Sequence, residues 1–250
     1  MIDLYCGDCL SVMPGISSSS VDMILADLPY GTTECSWDCV IPMEKLWPEY
    51  LRILRPSGVV VLTSMQPFTS MLVMSNPKMF KYEWIWEKGA ATGFLNAKKQ
   101  PLRAHESALV FYNKQPTYNP QKTAGHSRKT SKRKSVNSEC YGKAIQLTEY
   151  DSTERYPRSV QFFSSDKQKG SYHPTQKPVD LGRYLIRTYT DAGMTVMDNT
   201  MGSGSFGVSA VLEGRPFIGI EKDEGYFGVA SERINSASAR HKPQLALFAS

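Results

Sequence analysis

The run Val21-Asp22-Met23-Ile24-Leu25-Ala26 ends abruptly in Asp27-Leu28-Pro29-Tyr30, which puts a carboxylate, a rigid proline and an aromatic ring at one turn. An amine attached to an aromatic ring is a poor nucleophile because its lone pair is delocalised into the ring. Two acceptors set against its two N–H bonds, one a carboxylate and one a main-chain carbonyl, draw that lone pair back toward nitrogen. Asp27 and the Leu28 carbonyl are such a pair. Pro29 restricts the backbone that holds them, and Tyr30 offers a face on which a flat ring can stack. In isolation the same four residues also describe a capped turn with a packing tyrosine, so a second signal is needed.

That signal lies in Thr195-Val196-Met197-Asp198-Asn199-Thr200-Met201-Gly202-Ser203-Gly204-Ser205-Phe206-Gly207, a strand, a glycine-rich turn and a helix start. Gly202, Gly204 and Gly207 match G-x-G-x-x-G, the dinucleotide fingerprint, in which glycine lets the backbone approach a ligand. The next strand, Phe217–Glu221, ends in an acid suited to ribose hydroxyls. Glu221 follows Gly207 by 14 residues, however, against about 20 in dinucleotide enzymes. Asp198 would repel a pyrophosphate, whereas an ammonium or sulfonium cation would be welcome beside it. S-adenosylmethionine carries both cations and an adenosine, and fits better than a nicotinamide dinucleotide.

Short β-rich runs alternate with helical patterns around these segments, which predicts an α/β fold with a mostly parallel sheet and helices on both faces. Strands are expected at Ile2–Tyr5, Asp22–Ala26, Val59–Thr63, Tyr82–Trp86, Ala108–Tyr112, Thr195–Met197 and Phe217–Ile220. Helices are expected at Met43–Leu54, Pro67–Met74, Pro178–Tyr189, Phe206–Glu213 and Tyr226–Ile234, with Arg55-Pro56-Ser57-Gly58 as a stop and turn. In this arrangement both chemical segments sit at the C-terminal ends of strands, where open α/β sheets bind ligands.

The 250 residues suffice for one such domain with an insertion, and 41% hydrophobic content allows a true core. No apolar run is long enough to span a membrane, and the N-terminus lacks a basic, apolar leader pattern, so a cytoplasmic location is expected. Five cysteines, an odd count, argue against a disulfide framework. The pairs Cys6/Cys9 and Cys35/Cys39 have unequal spacing and no nearby histidine, so no metal site is expected.

From Lys114 to Lys143 eight Lys or Arg face a single acid, Glu139, which is more than the whole chain's excess of +5. Such a stretch is either a solvated charge run or the footprint of a phosphate-backbone partner. It lies in residues 113–172, polar and weakly periodic, which read as an insertion between a catalytic half, 1–112, and a cofactor half, 173–236. The tail, 237–250, is polar until Gln244-Leu245-Ala246-Leu247-Phe248.

Taken together, these motifs resemble those of β-class DNA amino-methyltransferases. Asp27-Leu28-Pro29-Tyr30 is similar to their D-P-P-Y motif, and Asp198–Ser205 to their D-P-F-x-G-S-G-T cofactor motif. His173-Pro174-Thr175-Gln176-Lys177-Pro178 matches the segment that precedes it, and Gly7-Asp8-Cys9 resembles the segment that contacts the cofactor's adenine. The order of motifs is that of the circularly permuted class. The resemblance implies a Rossmann-like methyltransferase fold and transfer of a methyl group from S-adenosylmethionine to N6 of a flipped-out adenine in double-stranded DNA. It implies catalysis by Asp27, Leu28, Pro29 and Tyr30. It assigns the cofactor to Asp8, Cys9, Asp27, His173, Thr175, Gln176, Lys177, Asp198, Asn199, Thr200, Gly202, Ser203, Gly204 and Glu221.

The insertion takes the place of the family's target-recognition region, with Lys122, Arg128, Lys129, Lys132, Arg133 and Lys134 as phosphate contacts. The tail resembles the peptide by which bacterial proteins dock on the replication sliding clamp, although folding back on the core would explain it equally well. A homodimer is a further implication. Leu28 departs from the family's proline at a position where only the carbonyl is needed, and Asn199 and Thr200 replace its Pro and Phe. The rivals are cytosine-N4 or RNA methylation, a nicotinamide-dependent oxidoreductase, and a DNA- and clamp-binding protein without catalysis. Against the oxidoreductase, only 43 residues follow Gly207, too few for a fingerprint that should open its fold.

Overall fold

The structure, a computed structural model, describes residues 1–31, 39–133, 136–138, 142–144, 148–164 and 176–247. The chain divides into two compact units, residues 1–119 with 159–250, and residues 120–158.

The larger unit is built from β1 (Ile2–Cys6), α1 (Cys9–Val12), β2 (Val21–Ala26), α2 (Met43–Ile53), β3 (Leu54–Ser64), α3 (Phe68–Ser75), β4 (Phe80–Thr92) and β5 (Arg103–Phe111). After the excursion through the smaller unit come β10 (Val160–Phe163), α4 (Val179–Tyr189), β11 (Val196–Asp198), α5 (Ser205–Leu212), β12 (Phe217–Glu221) and α6 (Glu224–Leu247). Its strands form one sheet in the order β1-β12-β11-β2-β3-β5-β4-β10. Every pairing is parallel except the two made by β5.

Side chains alternate across a strand, so one apolar run feeds both faces of the sheet. Met23 and Leu25 of β2, Val59 and Val61 of β3, and Ala108 and Val110 of β5 pack with Leu181, Leu185, Phe206 and Ile234 of α4, α5 and α6. The intervening Ile24 and Ala26, Val60 and Leu62, and Leu109 and Phe111 pack with Met13, Leu46, Tyr50, Ile53, Phe68 and Leu72 on the other side. On α2 the buried positions Leu46, Trp47, Tyr50 and Ile53 follow the helical period that such a covering helix requires.

The strand order reverses between β11 and β2. The chain leaves β2 toward β3 on one side and leaves β11 toward β12 on the other. A crevice opens at the C-terminal ends of strands that diverge in this way. Here it separates the ends of Val21–Ala26 and Val196–Asp198, which pair as Val196 with Met23 and Met197 with Ile24.

Three expectations shift. The predicted turn at residues 55–58 is an irregularity inside β3: Leu54 already pairs with Val21, and pairing resumes at Val59 with Met23. The pairing with β2 is broken over these residues and taken up again beyond them, so the stop signal interrupts the ladder without ending the strand. Helix α6 continues well beyond residue 234, through the region drawn as a polar tail, and keeps Ala237 buried. The insertion is narrower than residues 113–172. Asn119 is tied to α4 by its backbone N–H, 2.7 Å from the Thr188 carbonyl, and Val160–Phe163 pairs with β4 as an unforeseen edge strand.

The smaller unit contains β6 (Lys129–Arg133), β7 (Val136–Ser138), β8 (Gly142–Ala144) and β9 (Thr148–Ser152). β6 pairs antiparallel with β9 and β7 with β8, and a bridge joins Thr123 to Arg155.

Candidate active site

The register of the larger unit lines up four strand ends that are far apart in sequence. β1, β12, β11 and β2 are consecutive in the sheet and end at Cys6, Glu221, Asp198 and Ala26. Asp8 with Cys9, Glu221, Asp198 and Asp27 therefore occupy one rim.

Asp27 is held from three directions. Tyr30 donates its hydroxyl to Oδ1 at 2.8 Å, Thr63 donates to the same oxygen at 2.5 Å, and Lys177 donates to Oδ2 at 2.6 Å. Lys177 is 6% exposed and also lies 3.3 Å from Glu106, which is in turn 2.5 Å from Lys88. Burial works against the charge on Lys177, but Asp27, Tyr30 and Glu106 outweigh it and raise its pKa well above the usual lysine value. Burial alone would raise Glu106, but Lys177 and Lys88 prevail and hold it below its usual value. Tyr30 stacks on Phe68, with ring centroids 5.0 Å apart and planes inclined by 28°, which fixes the ring's orientation. Burial, followed by the nearby Asp27 carboxylate, keeps its hydroxyl protonated. Leu28 is buried at 2% exposure.

Asp198 is the opposite case. It is 2% exposed and accepts the Thr200 N–H at 3.0 Å, and among the described residues no cation faces it. Burial, with Asp27 and Glu221 adding repulsion, pushes its pKa well above the ordinary carboxylate range despite the Thr200 hydrogen bond. The loop beyond it turns on Gly202 and Gly204, with φ of 50° and 79°, a region that favours glycine. Gly207 serves close packing instead: a Cβ there would fall 2.5 Å from Ile234 and 2.7 Å from Phe217. Glu221 accepts the Gly202 N–H and the Asp223 N–H, both at 2.8 Å, and so ties the loop to the end of β12. Thr200 donates to the Asp27 carbonyl at 3.1 Å, which joins the two motifs across 173 positions of sequence.

The remaining expected residues fall around this frame. Asp8 caps α1, its Oδ1 3.0 Å from the Leu10 N–H, and stands beside the end of β12, where Gly7 donates to the Glu221 carbonyl at 2.8 Å. Cys9 is buried, and burial pushes its thiol pKa up, which keeps it unreactive. Asn199 accepts the Tyr50 hydroxyl at 2.5 Å beneath the loop, and Ser203 and Gln176 are buried. Lys177, expected near the cofactor, stands on the Asp27 side. His173 and Thr175 lie outside the described residues. Thr63, Glu106, Lys88, Phe68 and Tyr50 were missed. A charged Glu106 opening the apolar run Ala108–Phe111 was the available signal; nothing marked the others.

In the smaller unit the cations expected to meet phosphate already have partners. Lys122 is 3.1 Å from Glu154, Arg128 forks onto Asp151 at 2.5 and 2.7 Å, and Lys132 is 3.5 Å from Glu149. These acids lie just past the window in which charge was counted, on β9 and after it. Lys129 is exposed on β6, Arg133 ends that strand, and Lys134 lies outside the described residues.

Comparison with solved structures shows the fold. The chain shares its fold with the M1.HpyAVI–SAM complex, at a TM-score of 0.67 and 22% identity, over 94% of this chain and all (100%) of that one. PvuII DNA methyltransferase, described as cytosine-N4-specific, gives 0.63 and 16% over 96% of this chain and 92% of that one. The fold is that of the DNA methyltransferases. A family model described as DNA methylase, of the N6 and N4 methyltransferases, matches residues 21–232, and the chain belongs to that family. Among curated relatives, DNA adenine methyltransferase YhdJ of Escherichia coli (strain K12) is 26% identical over 96% of this chain and 85% of its own length. Type II methyltransferase M.HpaI of Haemophilus parainfluenzae is 23% identical over 93% and 74%.

The buried cation leads to a stability prediction. A carboxylate whose pKa is lowered by folding adds stability above its unfolded value and loses it as pH falls through the folded one. Lys177→Met removes one of the two cations that hold Glu106 down and leaves Asp27 without its counter-ion. Urea denaturation at pH 7 is expected to show a loss of ~3–5 kcal/mol. The gap to wild type should narrow in acid as Glu106 takes up its proton.

Proposed function

We propose that the protein methylates N6 of adenine in double-stranded DNA, with S-adenosylmethionine as methyl donor. The observation that carries this reading is the contrast between two strand-end carboxylates in one crevice. Asp27 is matched by a buried lysine, whereas Asp198 is buried with no cation against it among the described residues. A cofactor bearing an ammonium and a sulfonium group supplies the charge that Asp198 lacks. Gly202, Ser203 and Gly204 would pass its backbone closely, Glu221 would take the ribose hydroxyls, and Asp8 would stand at the adenine end. S-adenosylmethionine supplies an electrophilic methyl group.

The chain's part is positioning. Asp27 and the Leu28 carbonyl accept the two N–H bonds of the extruded base's amine and turn its lone pair outward, while Tyr30, braced by Phe68, carries the ring. The acid at the head of the tetrapeptide and the relative named a DNA adenine methyltransferase support N6 of adenine over N4 of cytosine. The smaller unit serves as the DNA-recognition element. Its exposed ion pairs contribute little to stability, so Lys122, Arg128 and Lys132 can exchange a carboxylate for a phosphate at low cost.

Nucleoside mass spectrometry on unmethylated DNA, incubated with protein and S-adenosylmethionine, is expected to yield N6-methyladenine; N4-methylcytosine would keep the mechanism and overturn the choice of base. Asp27→Ala should lower turnover by roughly 100-fold or more with cofactor affinity nearly unchanged. Equal loss of both would make Asp27 a cofactor ligand.

Asp198 must be ionised to hold a cation, and its pKa is raised, so cofactor binding should tighten as pH rises through that value. Asp198→Asn should weaken binding about tenfold and flatten the dependence, measured by calorimetry across pH.

The C-terminal Gln244–Phe248 is proposed as a sliding-clamp peptide, continuing the backbone of α6 as far as Leu247. Deleting residues 243–250 should abolish clamp pull-down, and unchanged capture would remove the idea.

A further inference from the structure

The turn between β4 and β5 is a feature that methyl transfer alone leaves unused. β4 runs in the same direction as β3, with β5 antiparallel between them, so residues 93–102 project from the same end of the sheet as Asp27. The register shows how near they are. Thr63, which holds Asp27, pairs with Ala108, and Ser64 pairs with Ser107. Glu106, next along β5, lies against Lys177. Three residues earlier Arg103 pairs with Thr92 and donates to Met65 Sδ at 3.7 Å. At about 3.3 Å per strand residue, Arg103 stands roughly 10 Å beyond Glu106.

At the tip of this turn Phe94 and Leu95 are 81% and 98% exposed. Single exposed apolar residues are ordinary, but two in succession on an ordered tip are not. The turn is hydrogen-bonded to itself: Asn96 and Ala97 donate to the Gly93 and Phe94 carbonyls at 3.0 Å, and Lys99 and Gln100 to the Asn96 carbonyl at 2.8 and 3.0 Å. Gly93, at φ 95°, sets the sharp entry. The surroundings carry one sign of charge. From Lys88 to His105 the chain has four Lys or Arg and no carboxylate, and Lys98, Lys99 and Arg103 are all exposed. An exposed apolar pair followed in the chain by exposed cations fits a polyanion with an apolar interior, which is a stacked duplex.

We propose that Phe94 and Leu95 form a wedge that enters the base stack beside the extruded adenine, while Lys98, Lys99 and Arg103 hold the flanking phosphates. The proposal rests on the base-extrusion reading above. Extrusion sacrifices the pairing and stacking of the departing base. Apolar side chains pushed between base steps replace part of the contact that the departing base gives up. The wedge therefore acts on duplex DNA and has nothing to do on a single strand.

The test uses the full chain and unmethylated plasmid DNA, native or heat-denatured. Phe94→Ser with Leu95→Ser should lower kcat on native DNA about tenfold or more, with duplex Kd within about twofold because phosphate contacts dominate affinity. Activity on denatured DNA should hardly change, and Phe94→Trp should keep wild-type rates on both. Equal losses on the two substrates, or no loss on native DNA, would overturn the wedge. If wild type is silent on denatured DNA, the native substrate decides: lowered kcat at unchanged Kd supports the wedge, and weakened binding that accounts for the whole loss refutes it. Wild type that transfers no methyl group to either substrate would instead sink the underlying reading.

Discussion

The catalytic end of the sheet depends on the ion pair between Lys177 and Asp27, two groups 150 positions apart in sequence. A buried pair is expensive to desolvate and survives only when its remaining sites are satisfied. Here the charges alternate along a string, Lys88, Glu106, Lys177, Asp27, so each buried charge has an opposite neighbour and the whole is neutral. The consequence for Asp27 is geometric. A carboxylate offers about four lone-pair positions. Tyr30 and Thr63 occupy Oδ1, and Lys177 takes one position on Oδ2. What remains is one acceptor site on Oδ2, which suits one N–H of an amine whose other N–H goes to a backbone carbonyl.

Much of this could be read in the residues themselves. An apolar strand ending in Asp27-Leu28-Pro29-Tyr30 and a glycine turn after Asp198 are local patterns, and the sheet delivers both to one crevice because parallel strands end on the same side. Partnerships across the sheet were not legible. Thr63 matters because β3 lies in register beside β2, and Glu106 because β5 runs antiparallel beside β3. Neither fact has a signature in a single segment. Charge was misjudged for a related reason. The cations of β6 are clustered in sequence, while the acids that meet them lie further along the chain on β9, which antiparallel pairing folds back against them. At Arg55–Gly58 the local stop signals interrupt the pairing with β2, but the strand resumes at Val59 instead of turning away.

The neighbours in fold include an enzyme described as cytosine-N4-specific. The architecture therefore does not choose the base, since both amines need the same two acceptors. On the proposed reading the choice would come from the walls around the ring, where Tyr30 and its brace Phe68 are fixed by packing and the acid at position 27 by its string of charges.

The two strand-end acids then divide the work by environment rather than by chemistry. A cationic cofactor entering the crevice meets two carboxylates one strand apart. If both were unpaired, either could attract it. Lys177 removes Asp27 from that competition before any ligand arrives, while Asp198 and Glu221 at the neighbouring strand ends face no buried cation among the described residues. On the proposed reading, the lysine that orients the acceptor for the amine would also direct the cofactor to the other side of the reversal in strand order. Methyl donor and amine would then approach each other from opposite halves of the sheet.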